Sequence, residues 1–104
     1  MPANRLPLSS PERSKPVAIL STETFDATTV DPTTVRFGAT GTEAAPRHLA
    51  RNDVNGDGRP DLILRFRLGD TGIECGDTEA FLTGETFDGQ AIEGSDAIKT
   101  VGCR

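Results

Sequence analysis

Tryptophan and tyrosine are absent from this 104-residue sequence. Any core must therefore rest on Val, Ile, Leu and the five Phe. No apolar run approaches the ~20 residues that a membrane-spanning helix requires, so no helical span is expected. No long stretch repeats its apolar residues at the helical period, which argues against a helical layer. A phosphate-cradling glycine loop before a helix and a nucleophile-elbow motif are both missing. Histidine occurs once, at His48, and cysteine twice, without the paired spacing of a zinc site. Basic residues are in deficit, 11 Lys and Arg against 16 Asp and Glu, for a net charge of −5. Such a chain lacks the basic patch that a nucleic-acid partner favours. Residues 1–15 lack the apolar centre of an export signal. The sequence thus reads as cytosolic as written, or as a mature fragment whose signal has been removed.

What is present centres on Asp53-Val54-Asn55-Gly56-Asp57-Gly58-Arg59-Pro60-Asp61. Oxygen-bearing side chains stand at loop positions one, three, five and nine. A hard cation such as Ca²⁺ takes about 6–8 oxygens at roughly 2.3–2.6 Å. Asp53, Asn55, Asp57 and Asp61 would supply side-chain oxygens, and Arg59, at position seven, its backbone carbonyl. Gly58 holds position six, where a Cβ is expected to obstruct a sharp bend. Without a cation, the three acids are expected to repel one another. A solvated Asn-Gly/Asp-Gly turn that binds nothing is the plain alternative. An EF-hand would place a bidentate Glu at position twelve, but Leu64 stands there. Leu62, Leu64, Phe66 and Leu68 alternate along one face, so the loop is predicted to run into a strand. The loop resembles the Asp-x-Asn-x-Asp-Gly-x-x-Asp loops of integrin-type FG-GAP repeats and of bacterial surface-protein repeats. That resemblance implies calcium held just before a β-strand.

Cys75 and Cys103 are compatible with one disulfide, which would tie the middle of the chain to its end. Two buried thiols acting as small apolar residues are the alternative. Pro2, Pro7, Pro11 and Pro16 make residues 1–15 a poor helix and a poor central strand. They read as an arm, ordered only if it docks, before a single domain over 16–104. Strands are predicted at 17–20, 34–37, 62–68, 79–87, 90–93 and 97–101, with a turn at Asp31-Pro32 and a hairpin at Asp88-Gly89. His48 and Leu49 are expected to form a short strand entering the metal loop. The expected core is Ile19, Val35, Phe37, Leu64, Phe66, Leu82 and Val101.

This pattern points to an all-β sandwich. Pro16-Val17-Ala18-Ile19-Leu20, the stretch from Val30 to Gly38, the metal loop, and Leu82 to Gly89 also resemble small β-modules of secreted multidomain bacterial proteins. Those modules look like immunoglobulin-like or cohesin-like sandwiches of short antiparallel strands. The resemblance implies an extracellular or periplasmic setting, and those modules have no clear assigned activity. The expected function is a calcium-binding, non-enzymatic binding or spacer module of exported or cell-surface proteins, a monomer with a protein or carbohydrate ligand.

Other chemistry is weaker. Glu74, Asp77 and Glu79 surround Cys75 and could serve a small hydrolase as acid and base, but an acidic surface turn is the simpler reading. As a general base His48 would need a nucleophile, and the many Ser and Thr residues show no nucleophile-elbow pattern, so an ordinary surface or packing residue is the simpler reading. Arg65 and Arg67 share the outward face of the 62–68 strand, where charged residues commonly keep an exposed sheet soluble.

Overall fold

The computed structural model describes residues 4–101. Among these the chain forms seven strands: β1 (Asn4–Pro7), β2 (Ser14–Ile19), β3 (Val30–Gly38), β4 (His48–Asn52), β5 (Asp61–Arg67), β6 (Glu79–Thr86) and β7 (Ala91–Val101). Among the described residues the only helices are single 3-10 turns at Ala27–Thr29 and Leu68–Asp70. No helix among the described residues is long and apolar enough to cross a membrane. The strands form two sheets, ordered β1-β7-β6-β3 and β2-β5-β4. The fold is an all-β sandwich.

β5 fixes how the sheets meet. Its alternation sends Leu62, Leu64 and Phe66 inward, all fully buried, while Arg65 stays exposed on the other face. A period of two makes this separation automatic once one face is covered. β2 pairs antiparallel with β5, setting Val17 opposite Leu64 and Ile19 opposite Leu62. β4 pairs on the other side. The four-stranded sheet answers with Val35, Phe37, Ala80, Leu82, Ile98 and Leu6. Phe37 and Phe66 meet with ring centroids 5.1 Å apart and planes tilted by 33°, a favoured separation for aromatic pairs. Of the expected core, Ile19 and Val101 are only half-buried. Ala27, Val30, Ala44 and Ile73 join it from connections and strand ends.

Three expectations are corrected, and part of the expected arm is found docked. Within the expected arm, Asn4–Pro7 is a strand, parallel to β7 at Ile98–Val101. It buries Leu6 to 1% exposure. An edge strand accommodates Pro7, whose missing N–H need not enter the ladder. The parallel pairing also departs from a wholly antiparallel sandwich. Asp31-Pro32 lies within β3 instead of ending before it. Register slips between Asp31, opposite Glu85, and Arg36, opposite Thr83, so the proline sits in a bulge on an edge strand. Finally, 90–93 and 97–101 are one strand. Gly94-Ser95-Asp96 reads as a break, yet each residue pairs with β6, at Leu82, Phe81 and Ala80, and the ladder overrides weak strand propensity.

The Asp88-Gly89 hairpin joins β6 to β7. Gly89 has φ +87°, the left-handed region that glycine enters without penalty. Gly89 N donates to Thr86 O at 2.9 Å, and Thr86 N to Gln90 O at 2.9 Å.

Candidate metal loop

The predicted cation loop joins β4 to β5 at one end of the smaller sheet. β4 does begin at His48, and it runs on to Asn52, which pairs with Asp61. The intervening chain turns through two left-handed glycines, Gly56 at φ +75° and Gly58 at φ +82°. A Cβ on either would meet nothing within 4 Å. Gly58 is therefore required for its backbone conformation, and the expectation of a steric obstruction there is corrected.

Backbone N–H groups grip each oxygen-bearing side chain. Asp53 Oδ1 accepts from Gly56 N at 2.8 Å and Asp57 N at 3.2 Å, and Asp53 Oδ2 accepts from Gly58 N at 2.8 Å. Asn55 Oδ1 accepts from Asp57 N at 3.4 Å, a long contact. Asp57 Oδ1 accepts from Arg59 N at 2.9 Å, and Arg59 Nη1 stands 3.7 Å from Asp57 Oδ2. These donors hold the Asp53 carboxyl below its ordinary value, chiefly through Gly58 N–H, against an opposing push from desolvation. Repulsion among the acids is thus offset locally by oriented peptide dipoles.

Asp61 is different. It is completely buried, with Oδ1 accepting from Ser21 N at 2.8 Å and Oδ2 from Val54 N at 3.0 Å. Ser21, which no functional motif in the sequence marks, is itself buried. Its Oγ donates to Pro60 O at 2.7 Å and accepts from Ala27 N at 2.8 Å. The end of the loop is thereby fixed to the connection between β2 and β3. Only the Asp61 spacing hinted at this, because a lone serine in a Ser/Thr-rich stretch carries no distinguishing signal.

As donor chemistry, three carboxylates, an amide and a peptide carbonyl suit a hard, oxygen-seeking cation. Their lone pairs exceed the N–H donors that grip them. Placement is less complete: among the described residues no three or more His, Cys, Asp or Glu side chains gather closely enough to share a metal ion.

The remaining candidates lie apart. Glu74 and Asp77 close a turn on each other, Glu74 N donating to Asp77 Oδ2 at 2.8 Å and Asp77 N to Glu74 O at 3.0 Å. Glu74 and Glu79 are exposed. Cys75 sits in this turn. Cys103 lies outside the described residues, so the pairing itself does too. His48 is exposed and faces Arg65 across the β4–β5 ladder. Arg67 pairs with Asp70 at 3.1 Å, as Arg47 does at 3.4 Å.

A feature without any sequence signal is a cleft of about 730 Å³ between the sheets. β2 walls one side and β7 the other. Val17, Ile19, Phe25, Phe37, Leu82 and Ile92 give it an apolar lining. Burial lowers the Lys15 ammonium at its margin, partly opposed by the Asp96 charge. No protein-family model matches the sequence, and neither a curated protein nor a solved structure matches it significantly.

Proposed function

We propose that this protein is a calcium-stabilised, non-enzymatic β-sandwich, serving as a binding or spacer module of exported or cell-surface proteins. The observation that carries the reading is the Asp53–Asp61 loop. Its oxygen donors follow the spacing of a calcium loop, and intraloop N–H groups already fix those side chains. Hydrogen-bonded carboxylates are the usual surroundings of a metal ligand. Asp53, Asn55, Asp57, Asp61 and the Arg59 carbonyl would hold the ion. Its service there is rigidity, since it would cross-link a loop otherwise secured only by peptide hydrogen bonds.

The cleft favours a binding role over a passive spacer. Its volume falls within the range of ligand pockets, about 300–1,000 Å³, and like them it is mainly apolar with few polar groups. An oxidising setting is supported by the position of Cys75. Gly76 N donates to Thr100 Oγ1 at 2.9 Å, so the Cys75 turn lies beside the end of β7, close in sequence to Cys103.

Calorimetric titration with calcium chloride tests the metal site, with thermal unfolding followed by far-UV circular dichroism. Binding to the folded state alone stabilises by about 2.7 kcal/mol at a ~100-fold excess over Kd. In a domain of this size that raises Tm by roughly 10–20 °C. Asp57→Ala should abolish both the heat and the shift. A Tm identical in millimolar calcium and in chelator would overturn the metal site.

A further inference from the structure

Ser21 touches two parts of the molecule that are distant in sequence. On one side its N–H reaches Asp61 Oδ1 at 2.8 Å and its hydroxyl donates to Pro60 O at 2.7 Å. These are the last two residues of the acidic loop. On the other side Ser21 Oγ accepts from Ala27 N at 2.8 Å, and the next residue, Thr22, donates its N–H to Phe25 O at 2.7 Å. Ser21 and Ala27 are both buried. Leu20 and Phe25 line the inter-sheet cleft on the β2 side.

The Asp61 and Ala27 contacts of Ser21 are short and buried, and the Pro60 contact is partly buried; in such surroundings losing a partner costs more than in water. A shift of Pro60 or Asp61 would leave Ser21 N–H or Oγ–H unpaired unless the segment from Leu20 to Ala27 moved with it. We propose that Ser21 is a positioning residue that couples the acidic loop to the cleft, so that calcium in the loop orders the Leu20–Phe25 wall. The trigger rests on the calcium reading above. The connection itself rests on the buried Ser21 contacts. Coupling of this kind is reciprocal: whatever fills the cleft and orders that wall tightens calcium binding by the same factor. The cleft is thereby made responsive to calcium although no proposed metal donor lines it.

The test uses the whole chain and calcium chloride. Ser21→Ala keeps the backbone N–H to Asp61 and removes no metal donor, but it deletes the hydroxyl that joins Pro60 O to Ala27 N, so it should raise the calcium Kd about tenfold, an ordinary size for coupling between sites. The exposed neighbour substitution Thr22→Ala should leave Kd unchanged. In the wild-type protein, amide hydrogen exchange by NMR should show calcium slowing Ser21 and Ala27 as well as residues 54–59 and Asp61. That measurement decides the matter even if Ser21→Ala does not fold. Calcium binding with protection confined to the loop, or an unchanged Kd in folded Ser21→Ala, overturns the coupling and leaves the calcium site standing. Absence of calcium binding by the wild-type protein overturns both.

Discussion

Asp53 and Asp61 bracket one loop, but they meet different surroundings. Asp61 is sealed inside, where its carboxylate joins two segments of chain. Asp53 remains accessible, and its contribution can be titrated. Its folded-state pKa lies below the ordinary value, first because of Gly58 N–H, with Gly56 and Asp57 adding to it against desolvation. A depressed carboxyl stabilises fully above the unfolded value, and the gain is lost as pH falls through the folded value. Asp26, Glu43 and Asp88 are shifted the same way. For Asp26 and Asp88 the leading cause is a side-chain hydrogen bond, from Thr28 and Thr86 respectively. For Glu43, desolvation pushes upward but is outweighed by hydrogen bonds from Thr40, Thr42 and Gly41. Stability should therefore fall steadily below about pH 4, near the ordinary carboxylate range. Asp53→Asn should flatten part of that limb in calcium-free buffer. Tm measured from pH 6 to pH 2 checks this, and parallel curves for the two proteins would refute the assignment to Asp53.

Two glycines in strands separate elements governed by packing from those governed by pairing. Gly38 ends β3 and is buried. A Cβ there would press into the carbonyl oxygen of Thr71 and stand 2.6 Å from Glu43 Oε1. Gly94 lies mid-strand in β7, and a Cβ there would meet nothing within 4 Å. Gly38→Ala should cost about 3 kcal/mol, the upper end for overpacking. Gly94→Ala should be neutral or stabilising by up to ~1 kcal/mol, since alanine has less backbone freedom to lose. Urea unfolding of the two variants compares them directly; equal losses would refute the contrast. The same division explains what the sequence revealed. β5 was legible because Leu62, Leu64 and Phe66 alternate with Ile63 and Arg65, and the loop because its acids recur at fixed spacing. β1 was not, because its four residues offer one aliphatic side chain, Leu6, and prolines stand at positions 2 and 7. Nor was the continuity of β7, where pairing with β6 holds Gly94-Ser95-Asp96 extended. Ser21 escaped for a related reason, since its partners Pro60 and Asp61 lie some forty residues along the chain.

Across the whole molecule, four strands face three. The cleft opens between β2 and β7, lined from Lys15 to Ile19 on one side and from Ala91 to Asp96 on the other. A sandwich open on this side needs β7 held from elsewhere. β6 pairs with it from Ala91 to Ala97, and β1 joins at Ile98–Val101. Ile98 N also donates to Thr78 O at 3.0 Å, and Thr100 Oγ1 accepts from Gly76 N at 2.9 Å. Both contacts bring the turn that carries Cys75 against the last residues of β7. A Cys75–Cys103 bond would close a loop of roughly 28 residues and stabilise the folded state by about 3–4 kcal/mol on the chain-entropy estimate. It would secure the strand on which β1 docks. Thiol alkylation of the unfolded, unreduced protein, read by mass spectrometry, should leave both cysteines unmodified. At constant calcium, reduction should lower stability by about the stated amount, and Cys75→Ala should match the reduced protein. Two alkylated thiols before reduction would sink the pairing. An unchanged denaturation midpoint after reduction would show instead that the hydrogen bonds to Thr78 and Thr100 hold this end of β7 without a covalent link.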